Sequence, residues 1–156
     1  MKIMISTLIG TAVLAGALQW APAAWGAEAS FVGAAKCKFC HMKQHKIWSG
    51  SEHAGAMGVL KPAEQTDPKC LECHLTGYRE TKQIKAELKG VECESCHGPA
   101  SAYLTVHPKK DKAASQQAGL IAKPDAESCK SCHNPSSPTF KGFDYAKMWE
   151  PIKHAK

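Results

Sequence analysis

Four copies of one five-residue pattern, Cys-x-x-Cys-His, constrain this chain more than any other feature in it. They are Cys37-Lys38-Phe39-Cys40-His41, Cys70-Leu71-Glu72-Cys73-His74, Cys93-Glu94-Ser95-Cys96-His97 and Cys129-Lys130-Ser131-Cys132-His133. All eight cysteines of the chain fall in these copies. On a helical turn, positions i, i+3 and i+4 share one face. Both sulfurs can then bond the two vinyl edges of one porphyrin while the next imidazole rises to its iron. The pattern is the attachment signature of c-type haem. Cys-x-x-Cys pairs also make zinc ribbons, disulfides and thioredoxin-like redox sites, but none of these requires a His after the second Cys in every copy. The sequence therefore predicts four covalent haem c groups. Cys37, Cys40, Cys70, Cys73, Cys93, Cys96, Cys129 and Cys132 attach them, and His41, His74, His97 and His133 are the proximal ligands.

The length of 156 residues fits one folded domain behind a leader. Lys2 gives a short positive start, residues 3–18 are mostly apolar, and small residues follow. This pattern predicts a secretory signal peptide over residues 1–29, cleaved between about residues 26 and 30, with Ala27-Glu28-Ala29 and Ala24-Trp25-Gly26 as candidate sites. An uncleaved anchor is the alternative. Either way residues 30–156 form an exported tetrahaem domain, and the expected compartment is the periplasm. No later stretch is long and apolar enough to span a bilayer.

Few aliphatic residues remain once the leader is set aside, so a core of side chains alone would be thin. The porphyrins must supply much of the buried apolar surface. The formal charge of +6 is misleading for a related reason. Each haem brings two propionates, so four oxidised haems add about −4 and four reduced ones about −8. The basic balance is then an offset to propionates, and no nucleic-acid partner is expected.

The fold class expected is mostly α: a small multihaem protein with short helices wrapped around four covalently attached haems and little or no sheet. Residues 37–48 read as one helix carrying the first haem. Residues 49–58 are dense in glycine and alanine, which let a flat ring approach the backbone. Residues 76–89 read as a surface loop or short hairpin, residues 101–106 as a helical turn, and residues 116–123 as a linker of undefined form. Asp125 reads as the cap of the helix that carries the fourth motif. Residues 142–156 read as a final helix. The motif starts are 33, 23 and 36 residues apart, too irregular for a solenoid.

Eight histidines for four irons leave His45, His53, His107 and His154 as candidate distal ligands. Two axial imidazoles close an iron to substrate and leave it only electrons to carry. Met42, Met57 and Met148 are alternative ligands that would raise the potentials. His53 lies among small residues, and His107 and His154 lie near predicted helix ends. His45 follows His41 by four residues, on the same helical face, and cannot reach the opposite side of the first iron. It reads as an exposed or propionate-bonded side chain, with ligation of another haem as the alternative.

Beyond the motifs, the words Ala35-Lys36-Cys37, Trp48-Ser49-Gly50-Ser51-Glu52-His53-Ala54-Gly55-Ala56-Met57, Thr76-Gly77, Gly90-Val91-Glu92-Cys93, Gly98-Pro99 and Ser137-Pro138-Thr139-Phe140 make the chain resemble the tetrahaem cytochrome c-554 family. The resemblance covers nearly all of the mature chain. It implies a mostly helical fold with closely stacked haem pairs. It also implies cross-pairing of ligands: His107 with His41, His53 with His97, and His154 with His133. The haem of His74 would be five-coordinate, with Pro138 and Phe140 near its vacant side, unless His45 fills it. The chain is shorter than the family's founding member.

Three functions follow, in order. The first is a periplasmic electron carrier between a donor and an acceptor redox protein, one of them a candidate membrane-associated quinol-oxidising or reductase partner met transiently. The second is a reductase of nitric oxide or a related nitrogen oxide at an open His74 haem. The third is a stacking subunit of a haem wire. A monomer is expected. No Ser/His/Asp signal, phosphate loop or nucleotide fingerprint is present. Intact-mass measurement of the exported chain is expected to show four added macrocycles. A chain made without haem attachment is expected to lack a cooperative thermal transition by circular dichroism.

Overall fold

The computed structural model describes residues 29–109 and 111–154. The leader, apart from residue 29, and its cleavage positions up to residue 28 lie outside the described residues. Among those described, every regular element is helical. In chain order the α-helices are α1 (Ala34–Lys38), α2 (Met42–Ser49), α3 (Pro68–His74), α4 (Tyr78–Thr81), α5 (Cys93–His97), α6 (Lys112–Gln117), α7 (Ala126–Lys130) and α8 (Tyr145–Trp149). Three 3₁₀ turns, Glu64–Thr66, Tyr103–Thr105 and His107–Lys109, lie between them. The expectation of short helices and no sheet holds. None of these helices is long and apolar enough to cross a membrane.

Helices this short are marginal in isolation, since about 12–15 residues are needed even for strong helix formers. Local caps start them. The carboxylates of Asp67, Asp111, Asp125 and Asp144 accept backbone N–H bonds at the N-termini of α3, α6, α7 and α8. Pro68 at the first turn of α3 suits the same end. The Asp125 cap is the one foreseen from sequence.

Each haem-attachment motif is a single helical turn. Motifs two and three lie within α3 and α5. In motifs one and four the regular helix stops early, but the turn is completed by His41 N–H to Cys37 O at 2.9 Å and His133 N–H to Cys129 O at 3.0 Å. The helix foreseen over residues 37–48 is thus two helices. Its break falls at His41, whose φ of −117° and ψ of 46° leave the helical region.

The side-chain core gathers around the second motif. Leu71, Leu75, Tyr78 and Leu88 form it, with Phe31 and Met57 packed alongside. Residues 76–89 are a surface loop only in their middle, where residues 82–87 are irregular and mostly exposed; the ends turn inward. Tyr78 starts a helical turn, and Thr76, Tyr78 and Leu88 are buried. A polar chain still folds inward here because its few apolar side chains meet α3.

Two buried carboxylates tie the N-terminal lead-in to the third motif. Glu94 is 2 % exposed. It accepts the N–H groups of Val32, Gly33 and Ala100 at 2.7 to 3.0 Å. Glu92 accepts those of Ala34 at 2.7 Å and Lys89 at 2.9 Å. Burial pushes the Glu92 carboxyl above its ordinary range, and these N–H bonds partly offset the shift. Residues 30–36 are thus more than a lead-in: they are a strap held by α5. Glu94→Ala would leave several backbone donors buried without acceptors, each costing about 1–3 kcal/mol. The holoprotein is expected to lose about 3 kcal/mol in denaturant unfolding, whereas exposed Glu52→Ala should change stability little.

Candidate haem sites

Three pairs of imidazoles face each other. His41 and His107 stack with ring centroids 5.7 Å apart and their Nε2 atoms 3.4 Å apart. His53 and His133 stand 6.0 Å apart. His97 and His154 stand 5.9 Å apart. Bonds from imidazole nitrogen to a first-row metal run about 2 Å, so two axial ligands in line would set ring centroids about 6 Å apart. The donors therefore fit an iron whose four equatorial positions are already filled. A bare zinc site needs four converging donors. Among the described residues no three Cys, His, Asp or Glu side chains converge on one point.

The two pairs at the third and fourth motifs differ from the expectation. His53 faces His133 rather than His97, and His154 faces His97 rather than His133. The physical reason lies in what holds the proximal rings. His133 stacks at 5.7 Å on Phe143, just downstream in its own segment, and presents itself to the loop of His53. His97 is anchored to the strand of chain entering α7, which leaves the C-terminal residues to bring His154 over it. The pairing of His107 with His41 agrees with expectation.

Backbone carbonyls orient the rings. His97 Nδ1 lies 2.7 Å from Ile121 O. Ile121 N–H donates in turn to His97 O at 3.0 Å. Residues 116–123, a linker of undefined form in sequence, are thus a support for the third site. His74 Nδ1 lies 2.7 Å from Ala56 O. His107 Nδ1 lies 3.4 Å from Ser115 Oγ. A bond at Nδ1 selects the tautomer that leaves Nε2 free for metal. Burial, reinforced by neighbouring imidazoles, lowers the pKa of His41, His53 and His97 below the ordinary value of 6.5; the Ile121 carbonyl opposes this at His97. Each is held as neutral imidazole, the form that binds metal.

The loop of residues 49–58 carries His53 and the carbonyl of Ala56. Trp48 Nε1–H donates to Val91 O at 2.8 Å, and Val91 N–H donates to His53 O at 2.9 Å. Gly90 makes this docking feasible. Its φ is +84°, and a Cβ there would stand 2.7 Å from Ala54 O and 2.8 Å from His53 O. Gly98 acts similarly below the third site, where a Cβ would meet Gly119 O at 2.7 Å.

His74 has no facing imidazole among the described residues. His45, the candidate for that place, sits edge-on to Trp48 at 5.1 Å. It lines a cavity of about 490 Å³ with Ala34, Lys38, Glu87 and Glu92. Pro138 and Phe140 lie on the turn leaving the fourth motif, where Phe140 N–H donates to Ser137 O at 3.1 Å. Met42 and Met148 are exposed, and Met57 packs against the apolar core.

The sulfurs, here thiols standing in for thioethers, lie in a row. Cys93 lies beside Cys37, and this proximity with burial pushes its thiol up. Cys96 is raised to about 11, by burial first and then by proximity to Cys129 and Cys132. Cys73 is likewise raised to about 11, by burial first and then by Cys132. The order of sites in space is therefore first, third, fourth, second. Motif spacing along the chain carries no signal of that order. The orienting carbonyls were also missed, because a carbonyl has no residue-type signature.

Known proteins with the same features can be compared. The family described as cytochrome c554 and c-prime matches residues 36–98. Cytochrome c-554 of Nitrosomonas europaea is 30 % identical over 138 residues, 69 % of this chain. The match spans 59 % of that relative's length. The structure of reduced cytochrome c554 from the same organism superposes with a TM-score of 0.61 at 26 % identity, covering 82 % of this chain and 80 % of that one.

Gly90→Ala is expected to push the His53 loop off residues 90–91. One low-spin ferric signal in electron paramagnetic resonance should shift or convert to high spin while all four haems stay covalently bound.

Proposed function

Since this chain belongs to the tetrahaem cytochrome c-554 family, we propose that it is an exported electron carrier working between redox proteins in the periplasm. Held in its four sites, haem c supplies reversible one-electron chemistry at iron. Cys37, Cys40, Cys70, Cys73, Cys93, Cys96, Cys129 and Cys132 hold the macrocycles, and His41, His74, His97 and His133 take the proximal positions. The observation that carries the reading is the three facing pairs, His41 with His107, His53 with His133 and His97 with His154. An iron between two imidazoles has no position left for a substrate. The polypeptide's work is to keep His41, His53 and His97 neutral, to orient His97 and His107 through Nδ1, and to bring neighbouring motifs together. The donor and acceptor are redox proteins, one of them membrane-associated, met in transient contact by a monomer.

A second reading rests on His74. Its Nδ1 is anchored at Ala56 O, and no second imidazole faces it among the described residues. Such a site binds a small diatomic ligand such as nitric oxide, so a side reductase activity is compatible with the carrier role. Electron paramagnetic resonance of the oxidised protein is expected to count three low-spin centres and one high-spin centre. The ferrous protein is expected to bind carbon monoxide at one haem in four. Four low-spin centres with no carbon monoxide band would remove the second reading, and four ligand-binding haems would remove the first.

A further inference from the structure

Arg79 is the only arginine among the 20 Lys and Arg residues of the chain. It follows Gly77 and Tyr78 at the start of α4 and is half-buried between the second and fourth motifs. Its Nη2 donates to Ser131 O at 3.0 Å and to Glu72 O at 3.2 Å. The same nitrogen stands 3.6 Å from Cys132 Sγ and 3.9 Å from Cys73 Sγ. One guanidinium nitrogen therefore touches both motifs, at the cysteine just before the proximal histidine in each.

Its strong partners are carbonyls, not carboxylates. The neighbouring carboxylate of Glu72 is taken by Lys82 Nζ at 2.6 Å. Among the described residues no carboxylate lies in ion-pair range of Arg79. A guanidinium keeps its charge at every accessible pH, and its Nη2 carries two N–H donors, one for each carbonyl. The charge at this seam is thus permanent, and the nearest carboxylate that acts on it, Glu72, is shared with Lys82.

We propose that Arg79 is a positioning residue that raises the redox potentials of the second and fourth haems together. The inference rests on the reading that Cys73 and Cys132 carry haem. Each reduction places one electron, taken from the donor, on one ferric iron and lowers the local charge by one. A fixed cation beside both thioether edges favours that change at both sites. At the end of the row where His74 lies, electrons would then settle more readily.

The test uses assembled holoprotein, with haem count by intact mass and four midpoints by optical redox titration. Arg79→Gln is expected to lower no more than two of the four midpoints, shifting the ferrous-to-ferric ratio about tenfold, or about 59 mV for a one-electron couple. Arg79→Lys, which keeps charge without the fork, should stay closer to the parent than Arg79→Gln. Lys82→Gln, which leaves the Glu72 carboxylate of the second motif unpaired, should lower at most the second haem's midpoint and leave the fourth unchanged. If Arg79→Gln fails to load haem, an α-dicarbonyl arginine reagent applied to the finished holoprotein displaces the same guanidinium, with the same two shifts expected. Unchanged midpoints in the loaded variant or the modified protein would overturn the proposal and leave the carrier reading intact. So would a common shift of all four, or equal shifts in the Gln and Lys variants. A parent protein with fewer than four macrocycles would overturn the haem reading, and this proposal with it.

Discussion

An imidazole can serve as an axial ligand only if it is neutral, in the right tautomer, and held on a line through the iron. That demand organises this small protein. Cys-x-x-Cys-His supplies the ring but not its orientation, since a His at the end of a one-turn helix is free to swing. The structure answers with backbone carbonyls. Ile121 O holds His97 and Ala56 O holds His74, each at 2.7 Å. The connectors between motifs therefore support the rings, each delivering a carbonyl or an imidazole to a site. The same segment can do both: residues 49–58 deliver His53 to one site and Ala56 O to another.

Legibility in the sequence divides along this line. Whatever depends on a local pattern was readable: four attachment turns, short helices, the Asp125 cap, the distal set of His53, His107 and His154 as residues that face a motif histidine. Whatever depends on where two distant segments meet was not. His53 and His154 exchanged partners because the choice is made by Phe143 against His133 and by Ile121 against His97, contacts that spacing does not encode. The family resemblance supplied a pairing that this chain's own contacts do not follow. Residues 76–89 looked solvated because they are rich in polar and charged residues, yet Leu88 and Tyr78 suffice to bury the segment's ends. Nothing in the local sequence marks Glu92 and Glu94 as buried. Their burial goes with the backbone donors of residues 32–34, which they accept.

The interior positions of the motifs show a further division of labour. Leu71 in the second motif is fully buried in the apolar core, and Glu94 in the third is buried in a cluster of N–H donors. Lys38 and Lys130 occupy the same place in the first and fourth motifs and are exposed. The second and third attachment turns are thus fastened through their variable residues, and the first and fourth are not. A chain with so few aliphatic residues cannot surround four sites with core. It concentrates ordinary packing at two and leaves the remainder to the cofactors.

The placement of that packing is informative. At three motifs an imidazole from a distant segment faces the motif histidine, and an iron bonded by both would cross-link the two segments. His74 has no such partner among the described residues, so the second motif needs another way to stay in register. Leu71, Leu75, Tyr78 and Leu88 all pack at this motif, and Arg79 ties its carbonyl edge to Ser131 of the fourth. Side-chain core and a two-motif hydrogen-bond bridge stand where a metal cross-link would otherwise stand. An open coordination position is then compatible with a rigid site, because rigidity here comes from apolar burial, which asks nothing of the iron.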